Sequence, residues 1–142
     1  MRSDRAFNQS YAAVPSSVPR AREALAMFAH ATGANTEQVE AVRLAVSEAL
    51  TNAVMHAYGA DSGAVHVSAS RARDELWVKI ADDGQGVEAS HESPGLGMGL
   101  HLIACMADYF AMSKRSEGGT EIRMCFGESA RQSSGDVHLV AA

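Results

Sequence analysis

Three groups of residues in this chain have types and spacings that suit phosphate chemistry. Glu48 and Asn52 stand one helical turn apart in the segment SEALTNAVMHAY. Asp82 then opens DDGQGV, and the glycine-rich PGLGMGL follows at residues 94–100. A positioned acid can take a proton, an amide oxygen can bind Mg²⁺, and glycine turns let backbone approach a ligand. Each group is common alone, but together and in this order they predict a nucleotide pocket.

Asp82 follows a predicted strand, and its carboxylate could accept a hydrogen bond from an exocyclic amine. Such a contact distinguishes adenine from guanine, because guanine carries a carbonyl oxygen at that edge. Gly84 and Gly86 would let the backbone approach the base where a Cβ would collide. Taken alone, the segment is more often an ordinary Asp-Gly turn than a binding site.

The second glycine-rich segment leads directly into a predicted helix. Free N–H groups and the positive end of the helix dipole make such a junction a natural phosphate site, here at Gly97, Met98, Gly99 and Leu100. A dinucleotide-binding fold would place this turn after its first strand, whereas here it comes late and follows a loop. His56 is expected to shape a helix end, since no second imidazole or thiolate has metal-ligand spacing.

The clearest periodicity lies over residues 36–57, where an apolar stripe predicts a helix. Glu48, Asn52 and His56 form a polar row beside that stripe, at the rim of the buried face. Further helices are predicted from an entry at Ser16–Pro19 to Gly33 and over 98–109. Strands are predicted over 7–14, 64–70, 75–80, 110–115 and 120–126. This order predicts an α/β two-layer sandwich, with a mixed, largely antiparallel sheet and helices on one face.

Bulk properties exclude several classes of function. The 142 residues carry a net charge of −5 without a clustered basic patch, which argues against direct nucleic-acid binding. No apolar run reaches the roughly 20 residues that cross a bilayer, so no membrane attachment is expected. Cys105 and Cys125 lie in apolar runs and are expected to be two buried, reduced thiols of a cytoplasmic protein.

The helix acid and amide, the two glycine motifs and a final Gly118-Gly119-Thr120 form one ordered set. This set resembles the Bergerat-type ATP-binding fold of type II topoisomerases, a heat-shock chaperone, sensor histidine kinases and mismatch-repair ATPases. Within that superfamily the chain is similar to the free-standing anti-sigma factors that are serine/threonine kinases in bacterial partner switching. The resemblance covers a single domain at 7–126, with 1–6 and 127–142 as flexible or unassigned ends.

The resemblance implies a role for each matching position. Glu48 would be the catalytic base, Asn52 would bind Mg²⁺, and Asp82 would hold the adenine amino group. Arg22, at the start of the first helix, would contact a protein partner. The full set of implied ATP-binding residues is Asn52, Asp82, Gly84, Gly86, Gly97, Met98, Gly99, Leu100 and Thr120.

The implied function is an ATP- and Mg²⁺-dependent anti-sigma factor. It would sequester a sigma factor and phosphorylate a small anti-anti-sigma (STAS-type) protein. Relatives of this kind often form homodimers, although the sequence shows no interface. The alternative is a nucleotide-responsive, partner-binding regulator without significant kinase activity, which the short segment between the glycine motifs favours. A detached histidine-kinase domain is a weaker interpretation, because no dimerisation helix pair is visible.

Overall fold

The computed structural model describes residues 6–57, 63–84, 96–116 and 118–127 of the chain. They form five strands and three helices in the predicted order. The elements are β1 (Ala6–Ala12), α1 (Ser17–Ala31), α2 (Thr36–Ala57), β2 (Ala64–Ala72), β3 (Glu75–Asp82), α3 (Leu96–Met106), β4 (Tyr109–Lys114) and β5 (Thr120–Gly127). The predicted loop at 82–94 and the predicted ends at 1–6 and 127–142 fall largely outside the described residues.

The five strands form one sheet in the order β1-β2-β3-β5-β4. The sheet was predicted to be mixed and largely antiparallel, and every one of these four pairings is antiparallel. Because β5 lies between β3 and β4, the start of β5 lies beside the end of β3, with Ala81 opposite Glu121. The turn that precedes β5 is thereby brought against Asp82, 33 to 38 residues away along the chain.

The core lies between one face of the sheet and the three helices. Val67, Ile80, Ile122 and Met112 face each other across four strands and are all buried. The central helix, α2, packs between α1 and α3 and over β2, β3 and β5. Burying each large aliphatic side chain stabilises the fold by about 1.5–3 kcal/mol. The predicted two-layer sandwich with helices on one face is confirmed.

The helix α2 has the predicted bounds, and its start is fixed by a hydrogen-bonded cap in its first turn. Gln38 N donates to Asn35 Oδ1 at 2.8 Å, and Asn35 N donates to Gln38 Oε1 at 3.2 Å. This reciprocal pair satisfies two N–H groups that the helix itself leaves without acceptors. Gln38 Nε2 also donates to the carbonyl oxygen of Phe126 at 3.4 Å, which ties α2 to β5.

The boundary between α3 and β4 differs from the prediction. The helix begins at Leu96 and ends at Met106, rather than spanning 98–109, and Tyr109 is the first residue of β4. Asp108 stops the helix by pairing with β5: its N donates to the carbonyl oxygen of Cys125 at 2.8 Å, and its Oδ2 accepts from Gly127 N at 2.7 Å. A tertiary contact therefore overrides the helical periodicity.

The two cysteines lie in different environments. Cys125 is buried, as expected, but the expectation for Cys105 is wrong, since it is exposed near the end of α3. Burial, with smaller contributions from the nearby carboxylates of Glu75, Asp108 and Asp74, raises the pKa of the Cys125 thiol to about 12. Because the thiolate is the reactive form, Cys125 is expected to be unreactive for two reasons: reagents cannot reach it, and its thiol stays protonated.

We predict that a thiol-specific reagent at pH 8 modifies one cysteine of the native protein rapidly and the second only after unfolding. A pKa near 12 leaves Cys125 only about one part in ten thousand ionised at that pH. Counting modified thiols against time, with Cys105→Ser as the control, checks this. Two fast thiols in the wild type, or one in the control, would contradict it.

Candidate functional site

Asp82, the last residue of β3, has a buried carboxylate with one oxygen fixed. Its Oδ1 accepts hydrogen bonds from the backbone N–H of Gly84 at 2.8 Å and of Thr120 at 3.3 Å. The residue is 5% exposed. Among the described residues, no hydrogen bond is made to Oδ2. The fold therefore orients this carboxylate through one oxygen, and the described residues leave the other without a hydrogen bond.

The environment of Asp82 changes its acidity. Burial raises the pKa of its carboxyl above the ordinary aspartate value, because the charged form loses hydration. The hydrogen bonds from Gly84 and Thr120 oppose this shift, the charge of Asp83 adds to it, and the charge of Arg115 opposes it. As pH falls, Asp82 therefore becomes protonated sooner than an exposed aspartate, and a ligand that needs the carboxylate is lost earlier.

Gly119 explains why the Gly-Gly-Thr segment belongs to the site. Its φ is +97°, and a Cβ on it would overlap the backbone carbonyl of Asp82. Gly118 also has a positive φ, +103°, but a Cβ there would lie 3.9 Å from the carbonyl oxygen of Gly84, an ordinary contact. The absence of a side chain at Gly119 lets Thr120 N reach Asp82. The sequence marked this motif, but only the sheet order reveals its steric reason.

Glu48 and Asn52 occupy the predicted positions one turn apart on α2, and both side chains are half-buried. The Nδ2 atom of Asn52 is buried and has no hydrogen-bond partner within the part of the chain that the structure describes. A buried polar atom without a partner is costly, which makes the Asn52 side chain a candidate contact for a ligand or a water. Of His56, the third residue of the row, only the helical backbone is described.

The residues available suit Mg²⁺ held mainly by a nucleotide. No group of three or more His, Cys, Asp or Glu side chains in the described ranges could hold a metal ion. Mg²⁺ usually retains waters and takes substrate phosphate oxygens, so one amide oxygen from Asn52 is a fitting protein contribution.

The glycine-rich segment forms the predicted helix entry in part. Gly97, Met98, Gly99 and Leu100 lie in the first turn and a half of α3. The first N–H groups of a helix have no acceptor within it and favour anions. The predicted position Gly86 lies outside the described residues, as do the side chains of Met98 and Leu100.

Arg22 lies apart from the group formed by Asp82, Gly84 and Thr120. Its Nε donates to Glu23 Oε2 at 2.9 Å, and the other Glu23 oxygen accepts from Arg43 Nη2 of α2 at 3.2 Å. These residues line a cavity of about 560 Å³ that also includes the exposed side chain of Leu44. The structure thus places Arg22 in a charged groove between α1 and α2.

The sequence matches the family of histidine kinase-like ATPase domains over residues 11–126. The chain therefore belongs to this family, and within it to the anti-sigma factors. It is 31% identical to the anti-sigma F factor of Clostridium acetobutylicum over 115 residues, which cover 73% of this chain and 80% of that protein. It is also 31% identical to the anti-sigma F factor of Clostridium perfringens over 116 residues, covering 73% and 83%.

A solved structure has the same fold. It comprises the RsbU and RsbW domains of a Mycobacterium tuberculosis protein and superposes with a TM-score of 0.69 at 22% identity. The match covers 95% of this chain, which spans 34% of that protein. The predicted superfamily and the resemblance to anti-sigma factors are thus confirmed.

Within the described ranges, no helix combines the length and hydrophobicity needed to cross a membrane.

We predict that Gly119→Ala destabilises the fold far more than the matched change Gly118→Ala. Both replacements place a side chain at a positive φ, which costs about 1–2 kcal/mol. Only Gly119→Ala also overlaps the Asp82 carbonyl, which adds roughly 2 kcal/mol. Urea denaturation of the two variants measures the difference, and equal losses would show that the β4–β5 turn does not approach β3 as described.

Proposed function

We propose that this protein is an ATP-dependent anti-sigma factor that phosphorylates a serine or threonine of an anti-anti-sigma (STAS-type) partner and sequesters a sigma factor in the cytoplasm. The observation that carries the proposal is the Asp82 carboxylate, which, among the described residues, Gly84 and Thr120 hold through Oδ1 alone. The anti-sigma F factors among its relatives supply the protein partners.

Adenine recognition follows from the free oxygen of Asp82. The exocyclic amine of adenine donates a hydrogen bond to Oδ2, whereas guanine would place a carbonyl oxygen against it. A buried carboxylate that faces another acceptor loses its hydration and gains no hydrogen bond, so GTP is disfavoured. Gly84, Gly86 and Thr120 shape the pocket around the base.

Phosphate binding is assigned to α2 and α3. Asn52 would contribute its amide oxygen to Mg²⁺, and the N–H groups at Gly97, Met98, Gly99 and Leu100 would bind phosphate oxygens at the start of α3. Bound Mg²⁺ would neutralise charge on the phosphates and on the departing ADP.

Glu48 is assigned the chemical step. Its carboxylate accepts the proton of the partner's serine hydroxyl as that oxygen forms a bond to the γ-phosphorus. The bond from the γ-phosphorus to the bridging oxygen breaks, and ADP leaves with the electron pair. The position of Glu48, half-buried one turn before Asn52, fits a base directed at the phosphate that Asn52 and its metal hold.

Partner choice is assigned to the groove that contains Arg22. Arg22 is held by Glu23, which Arg43 also contacts, so an incoming carboxylate could displace Glu23 without leaving a charge unpaired. Nucleotide state biases the choice between partners only if the two states bind them with different affinity.

We predict that Glu48→Ala abolishes phosphotransfer while leaving ATP binding close to wild type. Loss of a general base costs about 10²–10⁴-fold in rate. The measurement is transfer of labelled γ-phosphate to an anti-anti-sigma protein from the same organism, with Glu75→Ala at the exposed start of β3 as the control.

Transfer that survives Glu48→Ala would show that the base is another group. A wild type that transfers nothing, but whose partner binding still responds to ATP and ADP, would instead establish the regulator without kinase activity.

A further inference from the structure

Arg115 joins the turn before β5 to the end of β3. Its backbone closes the turn, because its N–H donates to the carbonyl oxygen of Gly119 at 3.0 Å and its own carbonyl accepts from Gly118 N at 3.0 Å. Its guanidinium Nη1 donates to the backbone oxygen of Asp82 at 2.8 Å and to Asp83 Oδ1 at 2.7 Å. One side chain therefore holds the two residues that begin the candidate adenine turn.

Asp83 is itself held from a second direction. Its Oδ2 accepts from His66 Nε2 at 3.0 Å, and His66 Nδ1 lies 2.9 Å from the hydroxyl of Ser10. His66 alternates along β2 with buried core residues, so this network lies on the face of the sheet opposite the helices. Both oxygens of Asp83 are engaged, which makes it a fixed anchor for Arg115.

These contacts restrain Asp82 at both of its polar groups. Arg115 holds the backbone carbonyl, while Gly84 and Thr120 hold Oδ1 of the side chain. The Arg115 side chain is only 24% exposed, and hydrogen bonds from a charged donor are stronger than those between neutral groups. The direction of Oδ2, the oxygen left for a ligand, depends on all three contacts.

We propose that Arg115 is a positioning residue for purine selection, because it anchors the Asp82 carbonyl from the outer face of the sheet and so fixes the direction of Oδ2. This inference rests on the proposed function of Asp82 as the residue that recognises adenine. Arg115 touches no nucleotide in this account; it acts through Asp82. Its loss therefore affects the choice between purines more than phosphate binding.

The charges around Asp82 give the proposal a second readout. The positive charge of Arg115 lowers the pKa of Asp82, and the negative charge of Asp83, which His66 also contacts, raises it. Removing Arg115 should raise that pKa, so adenine binding fails at a higher pH than in the wild type. Removing the charge of Asp83 should lower it, so binding persists to a lower pH. A purely structural role would not produce shifts of opposite sign.

The test compares Arg115→Gln with Arg115→Lys and with the control Arg123→Gln, which removes an exposed charge from the same face of the sheet. Dissociation constants for ATP and GTP at neutral pH, and for ATP as pH falls, are measured with circular dichroism to confirm folding. We expect Arg115→Gln to lower the ATP preference about tenfold, as for loss of one charged hydrogen bond. Arg115→Lys should restore part of it, and Arg123→Gln should leave it unchanged.

An unchanged ATP preference in folded Arg115→Gln, with the same pH profile as the wild type, overturns the proposal and leaves the pocket intact. If Arg115→Gln does not fold, Arg115→Lys decides, because it keeps the positive charge but replaces the planar guanidinium that contacts both the Asp82 carbonyl and Asp83. A reduced ATP preference in folded Arg115→Lys supports the proposal, and a wild-type preference overturns it. Equal binding of ATP and GTP by the wild type would contradict the proposed recognition of adenine by Asp82, on which this inference rests.

Discussion

The site depends on how closely the turn before β5 can approach the end of β3. Gly119 lies against the Asp82 carbonyl with no room for a Cβ, and this proximity lets Thr120 N bond the Asp82 carboxylate. If a Cβ at Gly119 pushed this turn away from β3, the bond from Thr120 N would be lost and the buried Asp82 carboxylate would keep fewer donors. The pairing of β3 with β5 is thus both a part of the sheet and the support of the candidate site.

A carboxylate in this position is costly to the fold. Burial raises the pKa of Asp82, which means that its ionised form is less stable here than in water. The protein offsets the cost with two backbone donors and a nearby arginine instead of a direct ion pair on the carboxylate. A direct ion pair would occupy Oδ2. Within the described part of the chain, no group bonds that oxygen, as adenine recognition by Asp82 would require.

The sequence predicted the parts that depend on local pattern. The helix α2 has the predicted bounds because its apolar stripe and the Asn35–Gln38 cap agree. The predicted end of α3 was wrong because Asp108 pairs with β5. The prediction that Cys105 is buried was wrong because its hydrophobic neighbours in sequence do not cover it in the fold. The role of Arg115 was not predictable, since its contacts with Asp82 and Asp83 exist only once β5 lies beside β3. Residue types identified the candidate site, and sheet order determines how it is held.

The most direct test is calorimetric titration of the wild type and Asp82→Asn with ATP and GTP, with and without Mg²⁺. The control is Asp74→Asn, which makes the same change of charge just before the first residue of β3, at the end of the strand far from Asp82. We expect the wild type and the control to prefer ATP, Mg²⁺ to strengthen binding, and Asp82→Asn to lose at least about tenfold of the preference. Equal binding of ATP and GTP by the wild type, or an ATP preference that survives in Asp82→Asn, would contradict it.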